Sequence, residues 1–188
     1  MAKIYSKREE GVKTMKQIVL GGGCFWCIEG VFTRVKGIIS LQSGYAGGKR
    51  ANPTYEQICT GVTGHAEVVA IQYDENIITL ENLLEIFFAI HDPTTLNAQG
   101  ADKGTQYRSV IYYATQEEKQ QIENFIQKIQ SEFTNPIVTE LSTLPTFYPA
   151  EEYHQNYYNQ NSSQGYCQVV IAPKIAKFLQ KFPEKVKE

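Results

Sequence analysis

The chain has no run of about 18 apolar residues, which excludes a membrane-spanning helix of ordinary length. It also lacks an excess of either charge. Eighteen Lys and Arg against 20 Asp and Glu leave a net charge of −2, which gives no electrostatic reason to bind nucleic acid or an anionic membrane. The strongly apolar run directly ahead of Gly21–Gly23 is Ile18-Val19-Leu20, whereas the apolar core of a secretory leader needs roughly 7–15 residues. No targeting segment and a soluble, cytoplasmic protein are therefore expected. Internal repeats and low-complexity stretches are absent as well. Cysteine and histidine are scarce, at four and three residues. The Cys24-x-x-Cys27 pair has neither a second close Cys pair nor a His-x₃₋₅-His pair to complete a zinc site, and His65, His91 and His154 are scattered. In a chain of this size without a leader, the thiols read as catalytic rather than as a disulfide framework.

At 188 residues, with 42% hydrophobic and 20% charged residues, the chain can build one substantial core. Residues 1–14 are polar and charged and read as an N-terminal arm, with 15–188 as one catalytic domain. Gln17–Leu20 reads as a buried strand ending at three glycines. Cys24, Cys27, Ile28 and Val31 then recur at the spacing of one helical face. Ile38–Ser43 is a second strand, followed by a Gly-, Asn- and Pro-rich loop over 44–64. Glu67, Val69, Ile71 and Tyr73 alternate with their neighbours as a third strand does. A helix capped by Thr79 carries Leu80, Leu83, Leu84, Phe87 and Phe88. After a long loop over 91–107 comes a strand over Ser109–Tyr113, then a helix opened by a Thr115/Glu118 capping box. Ile137–Leu141 is a further strand, 151–158 a short helix, and 168–173 a strand, before a closing helical segment through Ile175, Phe178, Leu179 and Phe182. The order βαββαβ over 17–113 predicts an α+β fold, a ferredoxin-like two-layer sandwich with a split βαβ core, helices on one face of an antiparallel sheet, long loops and a C-terminal extension.

The chemistry concentrates at Gly21-Gly22-Gly23-Cys24-Phe25-Trp26-Cys27. A glycine run between strand and helix places Cys24 at a helix start, where free N–H groups favour a thiolate. Cys24 is thus the expected nucleophile, although a buried thiol can also be a mere small hydrophobe. Cys27 is an auxiliary thiol or a helix residue, and a thioredoxin-like dithiol is a further reading. If the Val69 and Ile71 face is the core, Glu67 is a neutral acid; if not, it is a strand-end carboxylate in water. The hydroxyls of Tyr55, Tyr107, Tyr148 and Tyr153 are either donors or packing groups.

The Gly-Cys-Phe-Trp-Cys segment resembles the signature of the A-type methionine sulfoxide reductases, the peptide-methionine (S)-S-oxide reductases. So do Gly44-Tyr45-Ala46-Gly47-Gly48, Asn52-Pro53-Thr54-Tyr55, Gly64-His65-Ala66-Glu67, Gly104-Thr105-Gln106-Tyr107-Arg108-Ser109, Phe147-Tyr148, Ala150-Glu151, His154-Gln155 and Gly165-Tyr166-Cys167. These fall in family order. The resemblance implies that Cys24 attacks the sulfoxide sulfur, while Glu67, Tyr55 and Tyr107 bind and protonate its oxygen. It implies that Phe25 and Trp26 form the S-methyl pocket, with Asp102 and His154 supporting the site and substrate. The resulting sulfenic acid condenses with a second thiol and thioredoxin restores the dithiol, with no cofactor or metal. Cys167 matches the family's resolving position and is preferred; Cys27, where many relatives have Gly, is the alternative. Cys59 matches no redox role. Free and protein-bound methionine sulfoxide are the expected substrates of a monomeric repair enzyme acting under oxidative stress. Two rivals stand beside this reading: a general dithiol oxidoreductase using Cys24 and Cys27, and a module that binds oxidised methionine without turnover.

Overall fold

A computed structural model describes residues 15–187; the predicted arm over 1–14 lies outside them. The elements follow in the order β1 (Met15–Gly21), α1 (Phe25–Phe32), β2 (Ile38–Ala46), α2 (Tyr55–Cys59), β3 (Ala66–Asp74), α3 (Leu80–Ile90), β4 (Ala98–Gln99), β5 (Asp102–Lys103), β6 (Val110–Tyr113), α4 (Gln116–Ile129), β7 (Glu140–Thr143), β8 (Phe147–Pro149), α5 (Tyr157–Gln160) and α6 (Ala172–Lys181). One six-stranded sheet runs β7-β6-β1-β3-β2-β8, and β4 pairs with β5 as a separate hairpin. The fold is α+β.

Every neighbouring pair in the large sheet is antiparallel except β6 and β7. The expected antiparallel sheet is therefore mixed. The reason lies in α4: a strand–helix–strand crossover returns the chain in its original direction, so β7 joins β6 in parallel. The Ile137–Leu141 prediction falls a few residues early, because pairing begins at Glu140 against Val110.

β3 lies between β1 and β2 and is buried from Ala66 to Tyr73. Its residues alternate between two cores. Val69, Ile71 and Tyr73 face the main cluster, with Phe25, Ile28 and Val31 of α1, Leu83 and Phe87 of α3, Ile122 of α4, and Ile175 and Phe178 of α6. Ala66, Val68 and Ala70 face a smaller cluster with Val19, Tyr112 and Phe147. Glu67 therefore points to the helix side.

Three sequence expectations change. The 44–64 loop contains the end of β2 and the whole of α2, whose start is set by a reciprocal box between Thr54 and Gln57. The predicted 151–158 helix is a 3₁₀ turn over Glu152–His154 followed by α5, broken by Asn156 in a left-handed conformation (φ 56°). The stretch after Cys167 is not a strand. Cys167–Ile171 forms a π-helical turn that runs into α6. Val169-Val170-Ile171 has strand propensity, but no strand pairs with it; Ile171 packs on α1 at Gly30 while Val169 stays exposed.

Candidate active site

β1 ends in a glycine turn that delivers Cys24 to the N-cap position of α1. Gly23 adopts φ +85°, which a side chain would strain, and its N–H donates to the Tyr107 carbonyl at 3.0 Å. The turn thus fixes the Tyr107 segment beside Cys24.

The Cys24 thiol is buried, with 8% of the residue exposed. Its pKa is held well above the usual thiol value, first by burial and then by Glu67 and Cys27 nearby; the Trp26 N–H opposes this. Read from the sequence, the helix start favours a thiolate at this position. The helix start supplies a donor, but desolvation outweighs it.

Glu67 is the second buried group, at 1% exposed. One carboxyl oxygen accepts the Phe25 N–H at 3.1 Å, and the other, Oε2, is buried without a hydrogen-bond partner. Burial raises its pKa to about 8, against the pull of the Phe25 N–H. Glu67 is thus a protonated acid at neutral pH, next to a protonated thiol.

Aromatic groups enclose this pair. Phe25 is fully buried, with ring centroids 5.6 Å from Tyr45 and 5.2 Å from His154. Trp26 stacks on Tyr157 at 3.6 Å and 5° and donates from Nε1 to His154 Nδ1 at 3.1 Å. His154 is buried and its pKa lowered by burial, which keeps it neutral and able to accept that bond. Its ring also lies 4.4 Å from that of Tyr55. The Tyr55 and Tyr107 hydroxyls are pushed well above the normal phenol range, first by burial and then by Glu67. They remain O–H donors near the acid.

A small cavity of about 140 Å³ adjoins Cys24. Cys24, Cys27, Asp102, Tyr166 and Lys174 line it, and the Tyr166 hydroxyl donates to Asp102 at 2.6 Å. Cys27 is buried and its thiol is raised to about 11 by burial, against Lys174 and Tyr166. Cys167 is also buried, on the π-helical turn, and is not among the residues lining this cavity. Cys59 is exposed at the end of α2.

The other histidines hold loops. His65 accepts the Gly48 N–H at 2.9 Å and donates to the Arg50 carbonyl at 2.7 Å. His91 bridges the Phe87 carbonyl and Ser109. Among the described residues, no cluster of three or more His, Cys, Asp or Glu could hold a metal ion.

Sequence reasoning assigned no role to Glu151, Tyr157 or Tyr166. Glu151 accepts from the Tyr45 hydroxyl at 2.9 Å and from the Tyr55 N–H at 2.8 Å, so it anchors the start of α2. The Thr54-x-x-Gln57 box was a readable signal for that helix. Tyr166 falls in the Gly165-Tyr166-Cys167 motif, but no local pattern gives its role or that of Tyr157, because their partners lie far away in sequence.

A buried thiol, a carboxyl whose pKa is raised by burial and a ring of aromatic groups fit an oxidoreductase. The family model for peptide methionine sulfoxide reductase matches residues 16–186. A peptide methionine sulfoxide reductase MsrA of Nitratiruptor sp. is 60% identical over 166 residues, which are 88% of this chain and 95% of that one. An MsrA of Acinetobacter baumannii is 57% identical over 174 residues, 93% of this chain and 99% of that one. The reduced form of Mxr1 from Saccharomyces cerevisiae is similar in structure, with TM-score 0.77, 36% identity, and coverage of 82% of this chain and 90% of that chain. The same yeast protein has also been solved in complex with Trx2. The chain belongs to the peptide methionine sulfoxide reductase family.

Proposed function

We propose that the protein reduces the S epimer of methionine sulfoxide, protein-bound and free, through Cys24, with thioredoxin as the electron source. The observation that carries this reading is the Glu67 carboxyl, buried beside Cys24 with Oε2 unpartnered, a setting that raises its pKa to about 8. A sulfoxide oxygen leaves poorly until protonated, so the reaction needs an acid that keeps its proton at neutral pH. Phe25 and Trp26 form the wall against the S-methyl group, Tyr55 and Tyr107 donate to the oxygen, and His154 holds Trp26. Glu67 gives its proton to the oxygen and takes the Cys24 proton as sulfur attacks sulfur. The oxygen then passes from substrate to enzyme: methionine leaves and Cys24 becomes a sulfenic acid. One thiol and one sulfoxide give one sulfenic acid and one sulfide, with no proton left over.

A second thiol then attacks the sulfenic acid, forming a disulfide and releasing water. Matching to the family by position favours Cys167. The cavity shared by Cys24 and Cys27 favours Cys27, with Lys174 beside it to stabilise the thiolate. On this geometry we read Cys27 as the first partner, and Asp102 as a group of the cavity between the thiols. Thioredoxin reduces the bridge by exchange; the complex of Mxr1 with Trx2 supports that partner. We further read 15–188 as one catalytic domain acting as a cytoplasmic monomer in protein repair, binding neither nucleic acid nor membrane and using no cofactor. The central strand order β6-β1-β3-β2 supports a split-βαβ, ferredoxin-like description of the core.

The test is turnover of purified (S)- and (R)-methionine sulfoxide with dithiothreitol, beside an insulin-reduction assay. The expected result is methionine from the S epimer alone and no sulfoxide-independent insulin reduction above background. Insulin reduction without sulfoxide turnover would instead support the dithiol oxidoreductase, and binding without turnover the recognition module.

A further inference from the structure

Glu29 is a buried carboxyl that the proposed mechanism does not use, at 5% exposed on α1, one turn after Trp26. Its two oxygens accept the backbone N–H groups of Asn156 at 2.7 Å and Tyr157 at 3.4 Å. Among the described residues no cation is paired with it. Burying an acid without a counter-ion is unfavourable unless its oxygens are satisfied, so the two N–H groups account for its place. Burial nevertheless raises its pKa, against those same N–H groups.

The segment it grips is the one that carries the aromatic wall. Asn156 is held in the left-handed region, at φ 56°, between His154 and Tyr157. On one side of it His154 accepts from Trp26 Nε1. On the other, Tyr157 lies flat against the Trp26 ring. Arg34 ties the same helix pair further along, donating to the Gly30 carbonyl and to Asn159. That second tie lies beyond the stack and makes no contact with Trp26.

We propose that Glu29 is a positioning residue for substrate binding: its carboxyl fixes the 154–157 segment against α1 and thereby sets the orientation of Trp26 in the methyl pocket. The proposal rests on the sulfoxide reading for its kinetic consequence but not for its structural one. Removing the carboxyl releases Tyr157 and His154 from Trp26 while leaving Cys24 and Glu67 in place. The effect therefore falls on KM rather than on the chemical step.

The experiment uses Glu29→Ala and Glu29→Gln in the full chain. Trp26 is the sole tryptophan, so fluorescence excited beyond the tyrosine absorption band reports this ring alone. For Glu29→Ala the expected result is an emission shift toward that of a solvent-exposed indole. KM for (S)-methionine sulfoxide should rise roughly tenfold, about the worth of one hydrogen bond to a charged acceptor. The single-turnover rate at saturating substrate should stay within about twofold of wild type. Glu29→Gln keeps the volume and one acceptor oxygen, so it should fall between wild type and Ala in both readouts. It also carries the test if the Ala variant does not fold. Lowered thermal stability with unchanged emission and KM would show a merely structural carboxyl and overturn the proposal. Should the wild type prove inactive on sulfoxide, the functional reading fails and the emission alone decides on Glu29.

Discussion

At Cys24 and Glu67 the balance of forces is set by burial. A helix start and one N–H are too weak to ionise a thiol that has lost its water, and Glu67 keeps its proton for the same reason. In the proposed mechanism the two groups enter the reaction neutral, and the proton moves only when a sulfoxide oxygen is there to receive it. Alternation along 67–73 was legible in the sequence and placed Glu67 on the face of Val69 and Ile71. Whether that face met water was not, because burial depends on strands and helices far away in the chain. The consequence is a pH dependence. Glu67 is an acid below its pKa of about 8 and a carboxylate above it. kcat/KM should be level on the acid side and fall as pH rises through about 8. Glu67→Gln should lose roughly 10²–10⁴-fold in rate, the usual worth of a positioned acid. A pH–rate profile of both proteins checks this; near-normal Gln activity at every pH would remove Glu67 from the mechanism.

Among the elements, those with strong local signals were legible. The helices begin where the Thr79 cap and the Thr115/Glu118 box place them, and β1, β3 and β6 lie where apolar runs or alternation marked them. α2 shows no periodic pattern because five residues are too few for one, and only its Thr54/Gln57 box announces it. The segment after Cys167 misled because its β-branched residues favour a strand in isolation, whereas Gly30 leaves room on α1 for a helical turn to dock. This bears on the resolving thiol, since Cys167 sits buried in a packed helical turn while Cys27 shares the cavity with Cys24. Peptide mapping after one turnover should find a Cys24–Cys27 bridge. Cys27→Ser should then release one methionine normally but fail to cycle with thioredoxin, while Cys167→Ser cycles. A Cys24–Cys167 bridge and the reverse pattern would show that the turn opens during the reaction.

For the whole molecule, the same acid links catalysis to stability. A group whose pKa is higher folded than unfolded stabilises the fold most below its unfolded value, and that stabilisation is lost as pH rises through the folded value. For Glu67 the window runs from 4.5 to about 8. Glu29, also raised, acts in the same direction, and His91, lowered to about 4 by burial, acts in the opposite one. The wild-type curve is therefore a sum. The difference between wild type and Glu67→Gln isolates the one group: denaturant unfolding should show the wild type losing stability relative to the variant from about pH 5 to 8. A flat difference would mean that folding does not raise the Glu67 pKa. The α+β class was readable from the chain, but α2, the β4–β5 hairpin inside the expected 91–107 loop, the parallel edge at β7 and the two-sided burial of β3 were not, the last two because they depend on crossovers and covering layers that no local pattern encodes.

The most direct measurement is a single turnover without reductant, mixing excess enzyme with (S)-methionine sulfoxide and counting methionine released and free thiols lost. The account predicts one methionine per substrate molecule, two thiols lost per methionine with Cys24 one of them, and none of either in Cys24→Ser. An alkoxide is inaccessible at neutral pH where a thiol can be activated, so the serine has no route. Methionine released by the pure serine variant, or wild-type turnover that leaves Cys24 free, would contradict it.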